Sequence, residues 1–241
     1  MKIDKTLTIH TKKVNTVIDI KIDINDKVKI VGGDWDVRDI TPIENDVVFS
    51  SIYSLIKGEK NWCDTELYKF MTTNLENGIP KWSCNTIQKC INRQKYILDL
   101  YNDIKSTGRI LSREEVLEST SLKTRRKFKL NEQVYPTNDD IHMVIDRNGK
   151  FIFAKNGCHR FSISKILNFK TVPVKIYQRH EEWEKFRNEV FDLCKKCWNG
   201  KTYQKIPHPD FDEIEPIHSD DRYDAIKKHI SCLLYTSPSP R

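Results

Sequence analysis

Residues 139–180 constrain this chain more than any other stretch. Residues 139–146 (DDIHMVID) alternate apolar and polar side chains, the period of a half-buried strand. Arg147-Asn148-Gly149-Lys150 carries the Asn-Gly signal of a tight hairpin, and residues 151–154 read as the return strand. Past Lys155-Asn156-Gly157 the spacing predicts a helix with Phe161, Ile163, Ile166 and Leu167 on its apolar face and Asn168 as its stop. Residues 172–177 return as a strand, with Pro173 near its start or on an edge. Strands interleaved with helices imply an α/β (α+β) class, with a small mixed sheet and helices packed on it.

That layout puts Gly157, Cys158, His159 and Arg160 at a helix N-terminus. Backbone N–H groups and the positive end of the helix dipole point outward there, so anions bind. Gly157 lets a phosphate approach the backbone. Arg160 can fork onto two phosphate oxygens. His159 adds a donor, or a proton carrier near neutral pH. A helix cap carrying surface charges would use the same residue types.

The Gly157-Cys158-His159-Arg160 turn, with the strand pair before it and the Val172-Pro173-Val174 strand after it, resembles the ParB/sulfiredoxin-like superfamily from Tyr96 to His180. In that superfamily the turn holds nucleotide phosphates, from CTP in partition proteins to ATP in sulfiredoxins. The resemblance implies a ParB/sulfiredoxin-like core and a phosphate-binding role for Gly157, His159 and Arg160, with Cys158 inside the same turn. It implies no single reaction, because the superfamily hosts several. Gly-Cys-His-Arg is also the sulfiredoxin signature, which implies a nucleophilic Cys158; a cysteine at a helix N-terminus beside His and Arg is expected to have a lowered pKa. The plainer reading makes Cys158 a small residue at a variable position.

Upstream, residues 6–9, 17–24 and 27–31 read as strands of a small β unit, broken by Gly32-Gly33-Asp34-Trp35-Asp36. By chemistry alone this break is a turn with Asp caps and an anchored Trp. The chain is, however, similar to a family that carries Gly-Asp-Trp-Asp (33–36), a Trp-x-Asp-Thr segment ending in Tyr (62–68), Gly-x-His-Arg (157–160) and Arg-His-x-x-Trp (179–183). In that family Arg or Lys is common where this chain has Cys158, and the likeness brings no activity with it. Its members often sit near surface-glycan genes, and some continue into a methyltransferase domain. The likeness implies Asp34, Trp35, Asp36, Arg179 and His180 as site candidates. Arg179 and His180 end the strand after the helix. Parallel neighbours place strand ends about 4.8 Å apart, so both are expected to complete a cationic pocket with Gly157, His159 and Arg160. Asp34 or Asp36 is expected to reach that cleft as catalytic base or Mg²⁺ ligand, with His159 as a second catalytic candidate.

Residues 46–56 and 63–76 read as helices, the second capped by Asp64 or Thr65. Residues 82–106 form a longer helical stretch with an apolar stripe of Ile87, Ile91, Tyr96, Ile97, Leu100 and Ile104. Residues 111–138 are polar and weakly periodic, with a basic cluster at 123–127 that reads as a solvated face rather than a nucleic-acid patch. Residues 181–198 read as a charged amphipathic helix containing Cys194-Lys195-Lys196-Cys197. No second pair completes four zinc ligands, so no zinc site is expected. Residues 199–219 read as an extended arm, and 221–230 as the start of another helix. Residues 232–241 match a reading frame of a sequencing adapter and are set aside from the fold. The resulting organisation is 1–95, a β then helical region; 96–180, the ParB/sulfiredoxin-like unit; 181–231, a helix, arm and second helix; and 232–241, the adapter-like tail.

The formal charge of +7 suits a phosphorylated partner. No run of about 18 apolar residues occurs, so no membrane span is expected. The N-terminus lacks the apolar core of a signal peptide, which points to a cytoplasmic protein with reduced thiols. No helix-turn-helix pattern follows the turn, so sequence-specific DNA binding is not expected. The expected function is binding of a nucleotide, ATP or CTP with Mg²⁺, with phosphoryl transfer or NTP hydrolysis. Two rivals stand beside it. One is a sensing or accessory module of a glycan-modifying or methyltransferase protein, joined to a further C-terminal domain. The other is a thiol enzyme using Cys158.

Overall fold

The computed structural model describes residues 6–20, 28–111, 140–196, 203–204, 208–211 and 217–218. The basic cluster at 123–127, Cys197, the side chain of Cys194, the helix expected at 221–230 and the tail at 232–241 lie outside the described residues.

The fold is α+β. A seven-stranded mixed sheet runs in the order β1 (Leu7–His10), β7 (Thr171–His180), β5 (His142–Ile145), β6 (Phe151–Phe153), β2 (Thr16–Ile18), β4 (Ile40–Pro42), with β3 (Lys29–Val31) also beside β7. β5 and β6 form the hairpin that Asn148-Gly149 predicts, with Met143 opposite Phe153. Asp146 shapes its turn: Oδ1 accepts from the Asn148 and Lys150 amides at 2.8 and 2.7 Å. Gly149 supplies the positive φ, +79°, that the turn requires.

β7 is the spine. It runs parallel to β5, with His142 opposite Lys175 and Ile145 opposite Arg179. Its other edge is shared between two strands. β1 pairs antiparallel with its first half, Leu7 opposite Val174, and β3 pairs parallel with its end, Val31 opposite His180. Pro173 sits before the β5 register begins, where its missing N–H breaks no bond to that neighbour.

Among the described residues six α-helices accompany the sheet: α1 (Trp35–Arg38), α2 (Val47–Lys57), α3 (Glu66–Glu76), α4 (Ile87–Thr107), α5 (Cys158–Ile166) and α6 (Glu181–Lys196). Asp46 caps α2, accepting from the Val48 and Phe49 amides at 3.0 Å each. Thr65, rather than Asp64, caps α3. The period-2 alternation of the strands divides the core. Met143, Ile145, Phe151 and Phe153 join Ile52, Trp62, Leu67, Ile97, Phe161 and Ile163 in the larger cluster. Val144 and Ile152 face a smaller one with Ile18, Ala154 and Tyr177. Strands from residues 1–95 and 96–180 share one sheet, and the boundary expected at 95/96 falls inside α4. Among the described residues no helix is long and apolar enough to cross a membrane.

Candidate functional site

β6 ends at Phe153, and the chain then leaves the sheet and opens α5 at Cys158. Lys155 (φ +57°) and Gly157 (φ +70°) take the left-handed conformation in this reversal. Space as well as φ demands glycine at 157. A Cβ there would meet the Asp140 carbonyl oxygen at 2.8 Å and the Ile141 Cα at 2.9 Å. The N-cap residue of α5 is Gly157, which offers no side-chain cap to the first-turn amides at the positive end of the helix. Behind the turn Lys175 Nζ lies 3.6 Å from Asp140 Oδ2, a buried pair.

His159 turns toward α4 and the loop before it. Trp82 and Tyr96 meet its ring edge-on, with centroids 5.6 and 6.1 Å away. Arg93 Nη2 lies 3.5 Å from its Nε2, and Cys158 Sγ 3.4 Å from its Nδ1. A guanidinium only donates, so Nε2 is the acceptor and the ring proton sits on Nδ1, facing the sulfur. Burial, reinforced by the charge on Arg93, lowers the His159 pKa to about 3. The expectation of a proton carrier near neutral pH is therefore corrected: desolvation keeps this ring neutral. Cys158 is corrected in the same way. Burial, helped by the Asp46 carboxylate, pushes its thiol up to about 12 and outweighs the helix terminus and Arg93. Arg160 is half-buried, and its Nη2 donates to the Leu111 carbonyl in the chain that follows α4.

A neutral buried histidine has a consequence for stability. Between pH 6.5 and 3 the unfolded chain protonates His159 and the folded chain does not, so the unfolded state binds more protons and stability falls as pH falls. From pH 7.5 to 5 the loss from this residue is expected to be about 2 kcal/mol. Urea denaturation at both pH values should show His159→Gln losing distinctly less than wild type over this interval. Parallel pH dependences would refute the assignment.

The sequence does not mark Arg93 and Trp82 as ligand-facing, and it places Tyr96 on the apolar stripe of α4. Cys90, Ile97 and Ile104 form the buried stripe of that helix, while Tyr96 is 39% exposed. The signal in the sequence is an Arg and a Tyr three apart beside an amphipathic face, which is common on helices.

Arg179 and His180 do not reach the Gly157 turn. β6 is antiparallel to β5, so the chain leaves β6 beside the start of β5, whereas β7 is parallel to β5 and ends beside the hairpin. Gly157 abuts Ile141 while Arg179 stands opposite Ile145, about 13 Å along the strands. The expected convergence assumes that the strand before α5 and the strand after it point the same way; they point in opposite ways.

At the hairpin end these residues bind the protein itself. Arg179 Nε donates to Asp210 Oδ2 at 2.9 Å, and Trp183 Nε1 donates to the same oxygen at 2.9 Å. His180 Nε2 lies 2.8 Å from the Gly33 carbonyl, and its Nδ1 accepts from the Glu182 amide at 3.2 Å. Asp36 is buried and accepts from Arg147 Nε at 2.9 Å, Nη2 at 2.7 Å and the backbone amide at 3.0 Å. Desolvation opposes its ionisation, but these hydrogen bonds prevail and hold the carboxyl below the usual range. Asp34, exposed, accepts from Arg147 at 3.0 Å and pairs with Arg38 at 3.2 Å. Neither carboxylate shares a cleft with Gly157. Among the described residues no group of three or more His, Cys, Asp or Glu side chains is arranged to hold a metal ion. Searches against protein-family models, curated proteins and solved structures find no match to the chain.

Proposed function

We propose that the protein binds a phosphorylated small molecule, a nucleotide such as ATP or CTP, at the Gly157 turn. The observation that carries this reading is the turn itself: a glycine pressed against the Asp140–Ile141 backbone is the N-cap of a nine-residue helix and offers its amides no side-chain cap. Arg160 follows two residues into that helix, and Arg93 contacts the intervening His159. Backbone amides, a helix dipole and two guanidinium groups suit a phosphate. Mg²⁺, where the ligand needs it, would arrive with the phosphates and keep most of its waters.

Binding without chemistry, as in a sensing or accessory module, is the form of the reading that the side chains favour. Asp36 is committed to Arg147, and His159 is neutral and deep. The thiol-enzyme reading finds its sulfur buried and protonated.

Calorimetric titration of ATP and CTP should give measurable binding to wild type and binding weaker by about fivefold or more to Arg160→Ala. Equal affinities would remove Arg160 from the site. Steady release of inorganic phosphate from ATP or CTP would replace the binding-only form by an enzymatic one.

A further inference from the structure

We infer that Arg93, set between Tyr96 and Trp82 against the ring of His159, is a second anion-binding side chain of this site and takes an oxyanion of the phosphorylated ligand. The inference rests on the reading of the Gly157 turn given above.

Arg93 differs from Arg147, Arg179 and Arg187, the arginines that carboxylates hold. Arg147 pairs with Asp34 and Asp36, Arg179 with Asp210 and Glu184, and Arg187 with Asp210 and Glu184. Arg93 has no carboxylate within ion-pair distance among the described residues. Its polar contact is Nη2 to His159 Nε2 at 3.5 Å, and its Nε is buried with no hydrogen-bond partner. A guanidinium whose Nε is buried and unpaired, with no carboxylate beside it among the described residues, gains from an anion that meets its remaining donors.

Aromatic rings hold it in place. The guanidinium carbon lies 4.3 Å from the Tyr96 ring centroid and 6.0 Å from that of Trp82. Rings attract the cation over their faces but leave its in-plane N–H donors free, so they position it without neutralising it. Trp82 (φ +49°) and the following Ser83 (φ +60°) are both non-glycine residues in the left-handed region. Such backbone is strained and persists where the surroundings enforce it; here it brings the indole against both His159 and Phe70.

Location supplies the ligand class. His159 is in the first turn of α5, so Arg93 stands beside the positive helix end. Two positive poles this close repel, and an anion between them relieves both. A phosphate offers oxygens to the helix amides and to the Arg93 fork together.

The test uses the whole chain with two probes, ATP and inorganic pyrophosphate, the second carrying no base or sugar. Arg93→Gln is expected to weaken both by about tenfold or more, with circular dichroism unchanged. Wild-type affinity for both probes in Arg93→Gln would overturn the inference while leaving the Gly157 reading to stand on Arg160→Ala. Loss of ATP affinity alone would also overturn it, since an oxyanion contact must affect pyrophosphate. Failure of both probes to bind wild type would remove the Gly157 reading and the inference with it. A measurement on wild type covers the case in which Arg93→Gln does not fold: pyrophosphate should protect Arg93 from phenylglyoxal, read by peptide mass, and undiminished modification at saturating pyrophosphate overturns the proposal.

Discussion

Asp210→Ala is expected to destabilise the protein by about 3–5 kcal/mol, the cost of leaving buried charge uncompensated. The Asp210 side chain is 1% exposed, and it faces Arg179 and Arg187, whose side chains are 9% and 3% exposed. Glu184 is the remaining counter-charge, at 3.8 Å from Arg179 and 3.6 Å from Arg187. The Trp183 indole would lose its acceptor as well. His208 and Phe211 pack around that indole, with His208 Nε2 2.8 Å from the Gly149 carbonyl, so the segment should undock with the loss of Asp210. Urea denaturation measures the first effect and a red shift of tryptophan emission the second. Asp210→Asn keeps the shape and part of the hydrogen bonding and should cost less than Asp210→Ala. A loss below about 1 kcal/mol in Asp210→Ala, within the range of an exposed pair, would show that the network is solvent-screened and not structural.

Gly157→Ala is expected to cost about 2–4 kcal/mol, from the left-handed backbone and the overlap together. The overlap is with the Asp140 carbonyl and the Ile141 Cα, which are main-chain atoms of the segment entering β5 and cannot swing aside. Asparagine separates the two causes. It tolerates positive φ but carries a Cβ, so Gly157→Asn should be nearly as damaging as Gly157→Ala. Gly108 is the control: its φ is +69°, and a Cβ added there would meet no atom within 4 Å, so Gly108→Asn should cost little. Near-wild-type stability of Gly157→Asn would mean that the backbone conformation alone selects glycine here and that the turn is looser than its contacts imply.

The residues that end a strand and start a helix are legible in the amino-acid sequence. Asn148-Gly149 marks the hairpin, Gly157 the opening of α5, and Asn168, at φ +56°, its stop. The arm after α6 is legible only as Pro- and acid-rich chain; that His208, Asp210 and Phe211 are buried follows from Arg179, Trp183 and Arg187 waiting for them on β7 and α6. Motifs 33–36 and 179–183 are expected, as sequence, to form a ligand site with the Gly157 turn. Within the described residues these motifs meet each other, through His180 and the Gly33 carbonyl, and Asp36 meets Arg147 of the hairpin.

By itself, then, the sequence determined the local elements and the mixed α+β class, because turns, caps and strand periods depend on residues a few positions apart. Tertiary structure decided everything that depends on direction and burial. The antiparallel β5–β6 pair and the parallel β5–β7 pair send Arg179 and His180 to the opposite end of the sheet from Gly157. Packing of α2 and α4 against α5 removes water from His159 and Cys158, which makes one a neutral base of pKa about 3 and the other a thiol near 12. The same packing leaves Arg93 beside them without a carboxylate among the described residues. Charge, protonation and partner are properties of the space around a side chain, and that space is filled by segments distant in sequence.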